Sequence, residues 1–201
     1  MEYAKDKDFD YIITVDDDRV FSRHAYLSYL LSFAGLSPGT AVTVGGIRLA
    51  HPPYHRRWGL RYRSWFRFVD APSGYQGVVY PVRPLLAHPA PFVLRDHLPD
   101  GVFHDDDAYF GILLRTLGIP LLSIPPCPLN WSRNTLGAGA SGVAEKAGKS
   151  RENNESDVFR AVVAKGLLGP KTARGKTSVA LKARMLATYL RYFFAGAGKA
   201  R

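Results

Sequence analysis

Two runs of three aspartates, Asp16-Asp17-Asp18 and Asp105-Asp106-Asp107, concentrate the chemistry of this chain. The first follows residues 9–15 (FDYIITV), an apolar, β-branched and aromatic run that reads as a buried strand. Its carboxylates therefore stand at the carboxyl end of a strand, which is where α/β sheets bind ligands. Alternate residues of an extended segment point the same way, so Asp16 and Asp18 can share one hard divalent cation, with phosphate oxygens of a nucleotide or sugar nucleotide completing its shell. A structural account competes with this one: an Asp-rich turn ends a strand and caps the next helix.

The second triplet opens a helix. Asp105 suits the N-cap, and the next two acids sit at the positive end of the helix dipole. Capping accounts for one or two acids. Three adjacent carboxylates repel one another, and that crowding favours proton uptake by one of them, as a general base requires. His104 precedes the triplet, but a single His at a helix start fits a cap or a surface position as well as a metal ligand.

The elements that must carry these acids alternate. Residues 24–34 have helical spacing, with Tyr26, Leu27, Leu30, Leu31 and Ala34 on one side, and Gly35 with Pro38-Gly39 stops them. Residues 40–49 read as a strand, and GVVYP at 77–81 as another. Residues 105–117 form a helix closed by Gly118 and Pro120, and a brief strand follows before Pro126. Residues 137–156 are small, polar and charged, a linker or mobile loop. Residues 178–195 form an amphipathic helix, with Val179, Leu186, Leu190 and Phe193 on one face and Arg184, Thr188 and Arg191 opposite. Alternating strands and helices indicate the α/β class.

Composition narrows the function. The chain has 201 residues, 46% of them hydrophobic, enough for one domain with an appendage. The longest apolar run, near residues 27–36, contains two Ser and is too short to span a membrane. Residues 1–10 alternate acids and lysines and lack the apolar core of a signal peptide, and the single Cys127 excludes a disulfide framework; a cytoplasmic location is expected. The formal net charge of +10 is unevenly spread: residues 145–201 hold 13 Lys and Arg against 4 acids, while the body is nearly balanced. Within the body, residues 2–18 carry seven acids and two lysines, and residues 48–67 carry six arginines and no acid. Such segregation marks sites. The arginine stretch, with His51, His55, Trp58, Tyr62, Trp65 and Phe66, suits a diphosphate grip with sugar stacking, a single-strand nucleic-acid groove, or a solvated loop beside core aromatics. No recognised nucleic-acid motif accompanies it, so nucleic acid is not the expected partner.

Taken together, these segments resemble the GT-A glycosyltransferases. DYIITVDDDRVF resembles their strand-plus-D-x-D segment, and DDAYFGILLRTLGI the acidic pair and following helix of inverting β-galactosyltransferase-like enzymes. GYQGVVYP resembles the acceptor-side G-x-G-G-x-L-Y-P segment of a related group that builds capsular, lipopolysaccharide and large-virus glycans. In that group an R-x-x-H and a Y-x-x-W element come first, as Arg48/His51 and Tyr62/Trp65 do here. The match covers about residues 9–135.

The resemblance implies a Rossmann-like mixed sheet flanked by helices, and transfer of a sugar from a nucleotide-sugar donor to a glycan or lipid-linked acceptor. Asp16 and Asp18 would hold Mn²⁺ or Mg²⁺ on the donor diphosphate, with Asp17 and Arg48 beside it. Asp107 would be the general base and Asp106 would orient the base or the acceptor, giving inversion at the anomeric carbon. Gly77, Tyr80 and Trp65 would belong to the acceptor side, joined by Trp131, which follows a strand end with Asn130 and Asn134 nearby. Gln76 stands where the family has glycine and Val82 where it has a second proline, and no His after His104 is present to complete a metal site. Family domains begin with βαβ units that bind base and ribose, each about 30 residues long. Here the D-x-D strand begins at residue 9, so an N-terminally truncated fold is expected: a partial domain over 1–136, a linker over 137–156 and a basic helical tail over 157–201.

That tail has eight basic residues and no acid between 171 and 201, which suits a helix lying on an anionic membrane surface or an ordinary terminal helix packed on the domain. Two other functional classes use the same residues. One is a basic module for nucleic acid or anionic lipid, with both acid clusters structural. The other is a phosphoryl-transfer enzyme with the triplets as a two-metal site.

Overall fold

AVTV, VVYP and LLSI, three four-residue runs without a charged side chain, form the middle of a five-stranded sheet and are buried throughout. Strands covered on both faces read as continuous apolar runs, and these do. The computed structural model describes residues 8–15, 19–20, 23–47, 66–72, 77–87, 106–126, 133–134 and 177–197. In chain order, β1 is Tyr11–Thr14, β2 Arg19–Val20, α1 Arg23–Leu36, β3 Ala41–Val44, β4 Gly46–Ile47, β5 Arg67–Val69, β6 Ala71–Pro72 and β7 Val78–Pro81. Then come α2 (Val82–Leu86), α3 (Asp106–Thr116), β8 (Leu121–Ile124), β9 (Arg133–Asn134) and α4 (Val179–Ala197).

The main sheet has the order β1-β7-β3-β8-β5. β3 and β8 are parallel, with Val42 opposite Leu122, while β7 runs antiparallel to both β1 and β3, and β5 antiparallel to β8. β1, β3 and β8 therefore point the same way. The sheet is mixed and flanked by helices, as an α/β chain requires. β1 differs from its sequence expectation: it is half-buried and, among the described residues, stands at the sheet's edge with β7 as its only neighbour. The strand expected over 40–49 is broken at Gly45, whose φ of 78° suits glycine and turns the chain from β3 into β4.

Each face of the sheet has its own core. On one, α3 lays Ile112, Leu113 and Leu114 over Val78, Tyr80 and Leu121. On the other, α1 contributes Tyr26, Tyr29, Leu30 and Phe33 over Val42, Val79, Leu122 and Ile124. α4 packs on α1 and joins this second core, with Met185 fully buried and Leu181, Tyr189 and Tyr192 against it. Tyr192 meets Tyr29 edge-on at 5.1 Å. Ser32 donates to the Ser28 carbonyl (2.7 Å), leaving its oxygen to accept from the Tyr192 hydroxyl (2.8 Å). The described part of the basic tail is thus a layer of the domain.

Tyr29 also fastens α1 to the sheet, since its hydroxyl donates to the Pro125 carbonyl at 2.7 Å just past β8. Tyr29→Phe deprives that buried carbonyl of this donor. It is expected to cost about 1–2 kcal/mol, seen as a lower urea midpoint with an unchanged slope.

Candidate active-site edge of the sheet

Because β1, β3 and β8 run in one direction, their carboxyl ends share one edge of the sheet, and antiparallel β7 and β5 begin there. Gly45 closes on β8 through its N–H to the Ile124 carbonyl (3.3 Å). At the far end of the row, Gly77 lies beside the end of β1. A Cβ on Gly77 would stand 3.3 Å from the Thr14 carbonyl oxygen and 3.5 Å from a Val15 methyl. With φ at 90°, this position is one that only glycine adopts without strain. Gly77 and the strand leading into Asp16 are therefore in contact.

Asp16, Asp17, Asp18, Arg48, Trp65 and Trp131 lie outside the described residues, as do His104, Asn130 and residues 137–156; of Asp106 only the helical backbone position is described. Their flanking residues are informative. Val15 precedes the aspartates at the carboxyl end of β1, Phe66 follows Trp65 at the start of β5, and Ile47 precedes Arg48 in β4, two residues past the turn at Gly45. Val15 and Phe66 belong to one edge. A second tie closes it: β2 pairs with β9, setting Arg19 opposite Asn134.

Asp107 is carried by α3, which packs on β6. The C-terminal end of α3 returns through Gly118–Pro120 to the amino end of β8, where the Pro120 carbonyl accepts from the Ala41 N–H at 2.9 Å. The helix is about 16 Å long, with Asp106 and Asp107 in its first turn. It is seated on β6, which pairs with β4 beyond the end of β3. Seating is close at Gly111: a Cβ there would lie 2.7 Å from the Ala71 Cβ and 3.1 Å from the Asp70 carbonyl oxygen. Asp107 is one turn before Gly111 on the same helix face and only 6% exposed. In the first turn, the partial positive charge of the helix end favours a carboxylate.

Tyr80, expected on the acceptor side, is instead enclosed in the core, its ring 5.0 Å from Phe110 of α3. It belongs to the packing that seats the helix of Asp107. Asp70, between β5 and β6, was not singled out by sequence; it is buried beside the α3 contact and is, with Asp107, one of the two buried carboxylates among the described residues. The signal was present as an acid inside the otherwise apolar FVDAP, since a buried acid is rare without partners. Phe66 has φ 54°, an uncommon conformation for an aromatic residue. It is held there by stacking on Phe33 at 6.0 Å and by the Thr177 hydroxyl, which donates to its carbonyl at 3.3 Å. The C-terminal segment thus fixes the residue that follows Trp65.

No protein-family model, curated protein or solved structure matches this chain. Among the described residues, no group of three or more His, Cys, Asp or Glu is arranged to hold a metal; the acids expected to do so precede Arg19. Segments far apart in sequence are attached to one end of one sheet.

Proposed function

We propose that the chain is a metal-dependent, inverting glycosyltransferase domain of the GT-A kind, transferring sugar from a nucleotide-sugar donor to a glycan or lipid-linked acceptor. The observation that supports this reading is the strand order: the residues that flank the D-x-D, the arginine stretch and the GYQGVVYP segment stand at one carboxyl edge.

In this reading Asp16 and Asp18 would hold Mn²⁺ or Mg²⁺, with Asp17 and Arg48 assigned to the donor diphosphate. Such a metal, when bound, would supply positive charge to the leaving diphosphate. Asp107 takes the proton of an acceptor hydroxyl while that oxygen attacks the anomeric carbon from the side opposite the departing group. A C–O bond forms, the bond to the diphosphate breaks, and the configuration inverts. Asp106 orients the acceptor or the base. Trp65 and Trp131 would offer rings to a sugar face, and Gly77, with no side chain, lets the start of GVVYP pack against the end of β1.

Incubation with a panel of sugar nucleotides is expected to give Mn²⁺-dependent release of nucleoside diphosphate, suppressed by EDTA. In Asp18→Ala the metal concentration for half-maximal rate rises by about tenfold or more. Equal rates with and without metal, in both proteins, would remove the proposal. Release of inorganic phosphate in place of the sugar would favour phosphoryl transfer.

A further inference from the structure

α4 is apolar on two sides. At about 100° per residue, Leu181, Met185, Tyr189 and Tyr192 form the stripe that enters the core against α1. Val179, Leu186, Leu190 and Phe193, with Phe194 beside them, fall on a different arc and face outward. Val179 is 85% and Phe194 65% exposed, and the outward stripe runs about 22 Å along the helix axis. The sequence pattern marked this stripe as the apolar face of the helix, and packing on the domain would be expected to consume it. The domain takes the other stripe instead.

Charge says what could cover it. Lys182 borders the outward stripe on one side, and Arg184 and Arg191 border it on the other; all three are exposed. Residues 171–201 hold eight basic side chains and no acid. An apolar stripe between two basic rims is the layout of a helix lying in the plane of a membrane surface, with its apolar side chains at the acyl boundary and its cations among headgroup phosphates. A second copy of the chain is a poorer occupant, since two such helices would bring their cations together with no carboxylate on either to offset them. Nucleic acid would use the cations and leave the apolar stripe in water. No helix among the described residues is long and apolar enough to cross a membrane, so α4 would lie on the surface.

We infer that the outward face of α4 is a docking surface for anionic phospholipid membranes, with Val179, Leu186, Leu190, Phe193 and Phe194 entering the interface and Lys182, Arg184 and Arg191 reading its charge. This inference stands independently of the glycosyltransferase reading, because it uses no residue of the carboxyl edge.

The full chain would be sedimented with vesicles of phosphatidylcholine alone and with vesicles containing about 30% phosphatidylglycerol. Binding is expected to the second and to fall as salt is raised. Leu190→Ser/Phe193→Ser should lower partitioning by about tenfold or more. Lys182→Gln/Arg184→Gln/Arg191→Gln should bring binding to anionic vesicles down to the level of neutral ones. All substituted positions are exposed, so the thermal midpoint should stay within about 2 °C of the parent; circular dichroism confirms this before binding is read. Equal binding by parent and Leu190→Ser/Phe193→Ser would overturn the inference. So would the absence of vesicle binding by the parent, or a concentration-dependent dimer that Leu190→Ser/Phe193→Ser abolishes and vesicles do not compete with.

Discussion

Asp107→Asn is expected to lower kcat by about 10²–10⁴-fold, with far smaller change in KM for the donor. Asparagine matches aspartate in shape and cannot accept a proton, so the variant separates proton transfer from packing at a position only 6% exposed. A carboxylate in the first turn of α3 also contributes about 0.3–1 kcal/mol through the helix dipole, so the melting temperature is measured alongside the rate. Asp107→Glu retains the acid on a longer arm in a tight site and should recover part of the rate. The measurement is steady-state transfer from the donor that the wild-type chain accepts, with Asp106→Asn alongside. If Asp107→Asn keeps kcat within about threefold, Asp107 is a structural acid and the base must be sought elsewhere, with buried Asp70 the first candidate.

The second large effect is at Gly111, where two contributions oppose each other. Alanine is favoured over glycine inside a helix by about 1 kcal/mol. Against this, the added Cβ would stand 2.7 Å from the Ala71 Cβ and 3.0 Å from its Cα, and these are backbone-anchored atoms that cannot rotate away. Overpacking of this kind costs about 1–3 kcal/mol, so Gly111→Ala should be destabilising despite the propensity gain, and Gly111→Val more so. Ala71→Gly in the same chain should restore much of the loss, because it removes the nearest atom. Gly35→Ala is the control: Gly35 is also helical, and nothing lies within 4 Å of its added Cβ, so that change should stabilise by about 0.5–1 kcal/mol. Denaturant melts of the four variants decide it. If Gly111→Ala matches Gly35→Ala, α3 does not sit on β6 as closely as described. Transfer by Gly111→Ala should also fall more than its stability accounts for, since the same contact positions Asp107 one turn away.

Much of the fold was legible because most of its elements announce themselves locally. Residues 105–117 carry acids at one end and a glycine at the other, and α3 spans Asp106–Thr116. GVVYP has no feature but apolar β-formers after a turn, and it is a fully buried strand. Strand order was not legible. FDYIITV reads as buried because its residues are apolar, but burial depends on neighbours, and β1 has only β7 among the described residues. The resemblance of GYQGVVYP put Tyr80 on the acceptor side; its register opposite Ile12 and the approach of Phe110 enclose it in the core instead. α4 shows the same limit. Its periodicity reveals an apolar stripe, but the stripe that enters the core is the one whose Met185, Tyr189 and Tyr192 fit the aromatic surface of α1. Asp107 could be singled out from its motif, whereas Asp70 has no motif and becomes visible only when the chain folds over it.

The packing of α4 on α1 also sets a clock. Ser32 and Tyr192 are partners across 160 residues of chain. At about 5–20 residues per second of synthesis, α1 emerges from the ribosome about 8–32 s before its partner helix exists. During that interval Tyr29, Phe33 and the outer side of the sheet beneath them lack the layer that later encloses Met185 among them. Newly made chains are therefore most vulnerable to aggregation before residues 179–197 are made, and slower decoding of the stretch between the two helices would lengthen the exposure. Yield in cells should depend on chaperones that hold aromatic surfaces, even if the finished domain melts at an ordinary temperature.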